Sequence, residues 1–406
     1  MHPAGPTVVL PALLMMSVPG MLHAQDADSA PAPGDFARSR YVGSPSVSQS
    51  VALGDLDGDQ DLDAFVVNQY NTPSSAVWIN DGSAGFTLKD TVIPTSDGKS
   101  VTLGDLDGDG DLDAWIANCV NMAADGVWLN DGSGGFTDSG QSLGRSVSMK
   151  AALGDLDGDG DLDAFVANSV ALPSGPNLVY VNDGSGRFTS SGQALGLNNT
   201  FCVALGDLDG DGDLDAWCAN LGGPNVVWTN DGRGVFTDSG QALGNAKSKS
   251  VALGDLDGDG DLDAWVANSS YSGENPSVVW LNDGTGRFRD SGQALGPQAN
   301  SVSVALADLD GDGDLDAFVG CNGTKPNRVW RNDGSAVFTA SEPPLGKNST
   351  YGVAVGDLDG NGLPDAWAAN CALSKAEQPN RVWLNGPPAP LDSKAATTER
   401  SATPGE

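Results

Sequence analysis

Between residues 36 and 385 the chain alternates short apolar runs with clusters of Gly, Asn, Asp and Ser. The fifth of seven similar units shows the pattern most cleanly. Ser250-Val251-Ala252-Leu253-Gly254 leads into an acidic stretch, and Ala264-Trp265-Val266-Ala267-Asn268 follows it. After a variable segment comes Ser277-Val278-Val279-Trp280-Leu281, then Asn282-Asp283-Gly284-Thr285-Gly286, then a run opening at Arg287-Phe288. Runs this short, rich in Val, Trp and Phe and bounded by turn residues, predict β-strands. Asn-Asp-Gly between two of them is hairpin chemistry, because Asn and Gly tolerate positive φ. No segment sustains a 3.6-residue apolar period, so helices are not expected.

Each unit therefore predicts four strands, and the acidic stretch starts at Asp55, Asp105, Asp155, Asp207, Asp255, Asp308 and Asp357. Seven four-stranded units at intervals of about 50 residues predict an all-β, seven-bladed β-propeller. An open solenoid is the alternative. The seventh unit stops after its third run, Arg381-Val382-Trp383-Leu384-Asn385, and a spare fourth-type run, Phe36-Ala37-Arg38-Ser39, lies at the other end of the body. Phe36 precedes Asp55 by the same 19 residues that separate Phe86, Phe136, Phe188, Phe236 and Phe338 from the acidic stretch that follows each. The N-terminal strand should close the last blade, leaving no exposed edges. The aromatics that recur two residues after each stretch (Phe65, Trp115, Phe165, Trp217, Trp265, Phe318, Trp367) read as inter-blade core.

The acidic stretch has the chemistry of a metal loop. Ca²⁺ takes six to eight oxygens at ~2.3–2.6 Å. The candidate ligands are Asp55, Asp57, Asp59, Asp61 and Asp63; Asp105, Asp107, Asp109, Asp111 and Asp113; Asp155, Asp157, Asp159, Asp161 and Asp163; Asp207, Asp209, Asp211, Asp213 and Asp215. The later loops add Asp255, Asp257, Asp259, Asp261 and Asp263; Asp308, Asp310, Asp312, Asp314 and Asp316; and Asp357, Asp359, Asn361, Leu363 and Asp365. Positions 1, 3, 5 and 9 offer side-chain oxygens. Position 7 is expected to give its backbone carbonyl, by analogy with other calcium loops. Gly at position 6 permits the sharp turn; Gln60 replaces it in the first loop, which is expected to be the weakest site. The loop is not an EF-hand, since position 12 is never Glu and the flanks read as strands. Asp and Gly also make ordinary turns, but four or five carboxylates in nine residues repel one another unless a cation binds. Up to seven Ca²⁺ ions, one per blade, are expected; Mg²⁺ suits the loop less, because it retains water and demands strict octahedral geometry.

Composition narrows the function. The formal net charge of −34 argues against a nucleic-acid partner, and most of the 54 acidic residues lie in the loops. The only histidines, His2 and His23, fall in an apolar N-terminal stretch that reads as a secretory signal over 1–24, ending at Leu22-His23-Ala24. The mature chain would then contain none, which excludes Ser-His-Asp and Cys-His catalysis and His-ligated zinc. Residues 25–35 read as a linker, 36–385 as the propeller and 386–406 as a disordered Pro/Ala-rich tail. No membrane span is expected. The five cysteines lack Cys-x-x-Cys spacing; a cross-strand bridge between Cys202 and Cys218 is one option, and the others suit small buried positions.

The repeat Gly54-Asp55-Leu56-Asp57-Gly58-Asp59-Gln60-Asp61-Leu62-Asp63-Ala64 and its six relatives, most followed by Asn-Asp-Gly and Phe, resemble the FG-GAP/VCBS-like calcium-binding β-propellers. Integrin α heads and some seven-bladed lectins belong to that group. The resemblance implies a calcium-binding propeller but not an integrin's partners: literal Phe-Gly and Gly-Ala-Pro strings are missing, and all seven loops here are acidic. The segments joining second and third strands vary, and variable loops on a rigid scaffold are where recognition sits. The expected function is a secreted, monomeric, non-catalytic binding or adhesion module at or outside the cell surface. Its expected ligand is an extracellular glycan or protein. The alternatives are a polysaccharide lyase or hydrolase on the same scaffold, which would need a non-repeated polar cluster at the ring's centre, or a purely structural surface protein.

Overall fold

The computed structural model describes residues 31–69, 74–90, 93–94, 98–120, 123–169, 175–269, 275–296, 299–323, 325–371 and 379–388. The signal expected at 1–24, the first part of the linker and most of the tail lie outside these residues. Among the described residues, seven four-stranded antiparallel sheets form the propeller. The third blade is typical: Ser148–Gly154 innermost, then Asp163–Asn168, Leu178–Asn182 and Phe188–Ser190. The second strands are buried on both faces, which explains their unbroken apolar run.

The seventh blade closes as the chain order requires. Thr350–Gly356, Asp365–Asn370 and Asn380–Leu384 are completed by Arg38–Val42 from the N-terminus. That ladder runs from Arg38↔Leu384 to Val42↔Asn380. Thr350–Gly356 lies against Ser48–Gly54 of the first blade, so the ring is shut. The closing strand starts at Arg38, two residues later than the pattern suggested; Phe36 precedes it as a core wedge, 6% exposed. Pro31 to Asp35, the end of the stretch read as a linker, is tied down: Gly34 N donates to Asn385 Oδ1 at 2.8 Å and Asp35 N to Ala32 O at 3.0 Å.

The core lies between blades. Each aromatic that follows an acidic loop meets, edge to face, the fourth-strand Phe of the next blade. The series runs Phe65–Phe136, Trp115–Phe188, Phe165–Phe236, Trp217–Phe288, Trp265–Phe338, Phe318–Phe36 and Trp367–Phe86, with centroids 4.7–6.5 Å apart. Such pairs add to the stabilisation from burial. Packing also links repeats pairwise. A Cβ on Gly154 would come 2.6 Å from Leu214 Cδ1 of the next blade, and Gly54, Gly206 and Gly254 meet the equivalent leucines in the same way. The sixth copy carries Ala307 instead, and the next blade has Pro364 where those leucines stand. The extra methyl is accommodated where the leucine is missing.

None of the five cysteines forms a disulfide. Cys202 lies opposite Ala219 and Cys218 opposite Val203, so the two thiols point to opposite faces of their sheet and join different core clusters. The Cys202–Cys218 bridge is ruled out by this register.

Candidate metal centres

Each acidic loop joins the innermost strand of a blade to the second. Its own carboxylates fold it. In the third loop Asp155 Oδ1 accepts from Gly158 N (2.7 Å) and Oδ2 from Gly160 N (3.0 Å), while Asp159 Oδ1 accepts from Asp161 N (3.0 Å). Asp163, at position 9, is fully buried and accepts from Leu156 N at 3.1 Å and from Asn182 N at 2.8 Å. Positive φ at Gly158 (80°) and Gly160 (98°) lets these amides converge. Gln60 adopts φ 72° and keeps its amide on Asp55 Oδ2 at 2.9 Å, so the first loop retains the shape despite lacking the glycine.

Position 3 is different. Asp57, Asp107, Asp157, Asp209, Asp257, Asp310 and Asp359 each hold a buried Oδ1 that no hydrogen bond reaches. In the first four loops this residue and those at positions 1 and 9 place one oxygen each within 4.8 Å of one another; in the fifth, Asp255, Asp257 and Asp259 do so. Oxygens on one Ca²⁺ lie at most ~5 Å apart across the ion, so the separation and the all-oxygen donor set fit that cation. The side chain at position 7 turns elsewhere: Asp261 lies against Gly284 of its blade's Asn-Asp-Gly turn, where an added Cβ would come 2.6 Å from Oδ2.

Burial and like-charged neighbours dominate the electrostatics of the loops. Burial, then the neighbouring carboxylate at position 5, raises the pKa of Asp57, Asp107, Asp157, Asp209, Asp257 and Asp310. Burial pushes Asp63, Asp113, Asp163, Asp215, Asp263 and Asp316 up to about 6 and Asp365 to about 7, against the backbone amides that hold them. Two loops have a cation of their own. Arg38 Nη2 lies 2.8 Å from Asp359 Oδ2, and Arg331 Nη1 lies 3.4 Å from Asp310 Oδ2. In the seventh loop Asn361 and Leu363 replace two carboxylates, though Asn361 Oδ1 still accepts from Leu363 N at 2.8 Å.

One ring of residues in this region does more than the turn chemistry its sequence suggests. The Asn ending each third strand donates its backbone N–H to the position-9 carboxylate and its side-chain Nδ2 to the preceding blade. Asn182 Nδ2 reaches Leu106 O at 2.8 Å, Asn282 reaches Leu208 O at 2.8 Å and Asn385 reaches Leu309 O at 2.7 Å. The loops are thus chained to one another around the ring. Asn385 carries the signal: it keeps its asparagine although the Asp that follows it in the other six blades is gone.

A model of the FG-GAP-like repeat matches residues 55–116, 155–218, 207–266, 255–319 and 308–368. No curated protein matches. Among solved structures, the chain is similar to BBS1N in its complex with ARL6DN soaked with mercury, at 13% identity and TM-score 0.57, covering 86% of this chain and 96% of that one. The lead-soaked form of that complex gives 12% and 0.58, covering 88% and 97%. A putative 6-phosphogluconolactonase from Bacteroides uniformis ATCC 8492 gives 12% and 0.52, covering 73% and 82%. At these identities the likeness is one of fold.

Proposed function

The chain belongs to the FG-GAP-like repeat family, and on that premise we propose that it is a calcium-stapled propeller acting outside the cell as a non-catalytic binding module. The observation that carries the calcium reading is the buried, unpartnered carboxylate oxygen at position 3, repeated in all seven loops. A buried polar atom without a partner costs ~1–3 kcal/mol, and a hard cation satisfies seven of them in one way. Positions 1, 3, 5 and 9 are the proposed side-chain ligands. The seventh loop is the weakest site, because Arg38 already neutralises Asp359 and two carboxylates are absent. The first loop keeps its full acidic set.

The ions staple blades rather than bind the ligand. Recognition is assigned to the face opposite the acidic loops, where the second strand of each blade ends and the third begins, and carbohydrate is the ligand class to try first. Secretion follows from the N-terminal stretch read as a signal. With ~1 mM extracellular calcium and a site constant of ~0.1 mM, each site adds about 1.4 kcal/mol, and seven together roughly 10 kcal/mol. Scanning calorimetry in ~1 mM calcium and in excess EGTA tests this. The expected result is a large fall in Tm on chelation, and an unchanged melting curve would refute the calcium reading. A glycan array probed in calcium tests the recognition reading separately.

A further inference from the structure

At the end of the ring away from the acidic loops, the innermost strands surround a cavity of about 190 Å³. All seven of these strands start with a register shift across their second residue. Such a bulge leaves one residue outside the ladder and re-aims its side chain. Here the seven bulged residues all line the cavity. They are the least repetitive positions of an otherwise repetitive strand, reading Gln, Lys, Met, Phe, Lys, Val and Tyr in chain order.

Two of the seven are lysines, and Lys150, the next residue along in the third blade, is a third. Lys99 Nζ donates to Gln49 Oε1 at 2.8 Å and stands 5.5 Å from the Tyr351 ring. Lys249 Nζ stands 3.7 Å over the Phe201 ring. Lys150 Nζ reaches Cys202 Sγ at 3.6 Å. Among the described residues no carboxylate lines the cavity, and none of the three lysines is in an ion pair. The other titratable groups facing Lys99 are the Cys119 and Cys371 thiols, and Lys249 faces Lys247 and Lys99. Burial lowers both, Lys249 to about 7. Val and Met fill the same position in other blades, so packing does not require lysine there. A chain of net charge −34 that gathers unpaired cations at one spot invites a counter-ion of opposite sign.

We infer that this cavity binds a single oxyanionic group, carboxylate or sulfate, with Lys99 and Lys249 supplying the charge. Gln49 orients Lys99, and Phe201 and Tyr351 offer apolar walls to the body that carries the acid. The volume holds about six waters' worth of ligand, enough for one acidic group and part of a sugar ring. The acidic remainder of the protein repels polyanions, which favours one acidic group over a string of them. The inference rests on the proposed recognition face only for the natural source of that group. A blank glycan array with intact sulfate binding would sink the carbohydrate reading alone; the reverse pair of results would sink this one alone.

The test is calorimetric titration of the full chain with sodium sulfate and with sodium glucuronate at pH 6.5, in ~1 mM calcium and at ionic strength matched with chloride. Saturable binding of at least one is expected, weakened at least tenfold in Lys99→Met and Lys249→Met and unchanged in Lys247→Met. Methionine already occupies the equivalent place in the third blade, so both variants should fold. On the wild-type chain, the NMR titration of the Lys249 side chain should move upward in pH when the bound anion is added, a readout that does not depend on any variant. Tighter glucuronate than sulfate points to an acidic sugar, and equal affinity to a free anion. Heats no different from chloride, or equal loss in Lys247→Met, would overturn the proposal.

Discussion

Replacing Phe36 by Ala tests whether the N-terminal strand is an integral part of the ring. Phe36 is 6% exposed, stacks edge to face on Phe318 at 5.6 Å, and joins a cluster with Leu309, Leu345 and Trp383. Phe236 holds the same place within one unbroken repeat, equally buried at 6% and 5.2 Å from Phe165. Truncating a buried Phe to Ala costs ~3–5 kcal/mol. If the closing strand unfolds only with the ring, the two variants should lose that amount alike, agreeing within about 1 kcal/mol. If the strand frays first, the loss at Phe36 is capped at the free energy of fraying, because a contact already broken cannot be weakened further. Urea unfolding followed by tryptophan fluorescence in calcium measures both. A loss below about 1 kcal/mol at Phe36 beside ~3 kcal/mol or more at Phe236 would refute ring closure as an integral part of the fold.

Gln60→Gly should raise stability by roughly 0.5–1 kcal/mol: relief of left-handed strain returns ~1–2 kcal/mol, and the freer unfolded chain takes back ~0.4–1 kcal/mol. A urea midpoint that does not rise would show that Gln60 carries no strain at its φ of 72°. Without calcium, stability should increase as pH falls from 7.5 to 5. The position-9 carboxylates titrate at about 6 when folded against an ordinary 3.8, so between those values the folded state holds more protons and stability drops as pH rises. Calcium should flatten that slope by displacing the protons; a calcium-free Tm that is flat or rises toward pH 7.5 would contradict their burial. Gly254→Ala should cost ~1–3 kcal/mol through overpacking on Leu315, and Leu315→Ala should absorb most of it. Additive losses in the double variant would refute the coupling read from Ala307 and Pro364.

The strand count, the seven blades and the closing strand were all legible in the sequence, because each rests on a period: alternation within a strand, about 50 residues between loops, 19 or 20 residues from each Phe to the next Asp. The loop carboxylates were legible for the same reason, since local spacing brings Asp55, Asp57 and Asp63 together without help from distant chain. Tertiary structure decided what depends on neighbours far apart in sequence. It placed Arg38 on Asp359, reaching across 321 residues, so that the closing strand brings a cation to a carboxylate of the seventh loop. It turned the thiols of Cys202 and Cys218 to opposite faces of a sheet whose strand spacing alone would allow a bridge. It revealed the asparagines as links between blades, a role invisible in a turn motif. The lysines at the ring's centre escaped for a related reason. Repetition makes the recurring residues conspicuous, whereas Lys99 and Lys249 occupy the least repetitive position of the inner strand. Only closure of the ring brings Lys99 and Lys249 into one cavity, whose lining holds no carboxylate among the described residues.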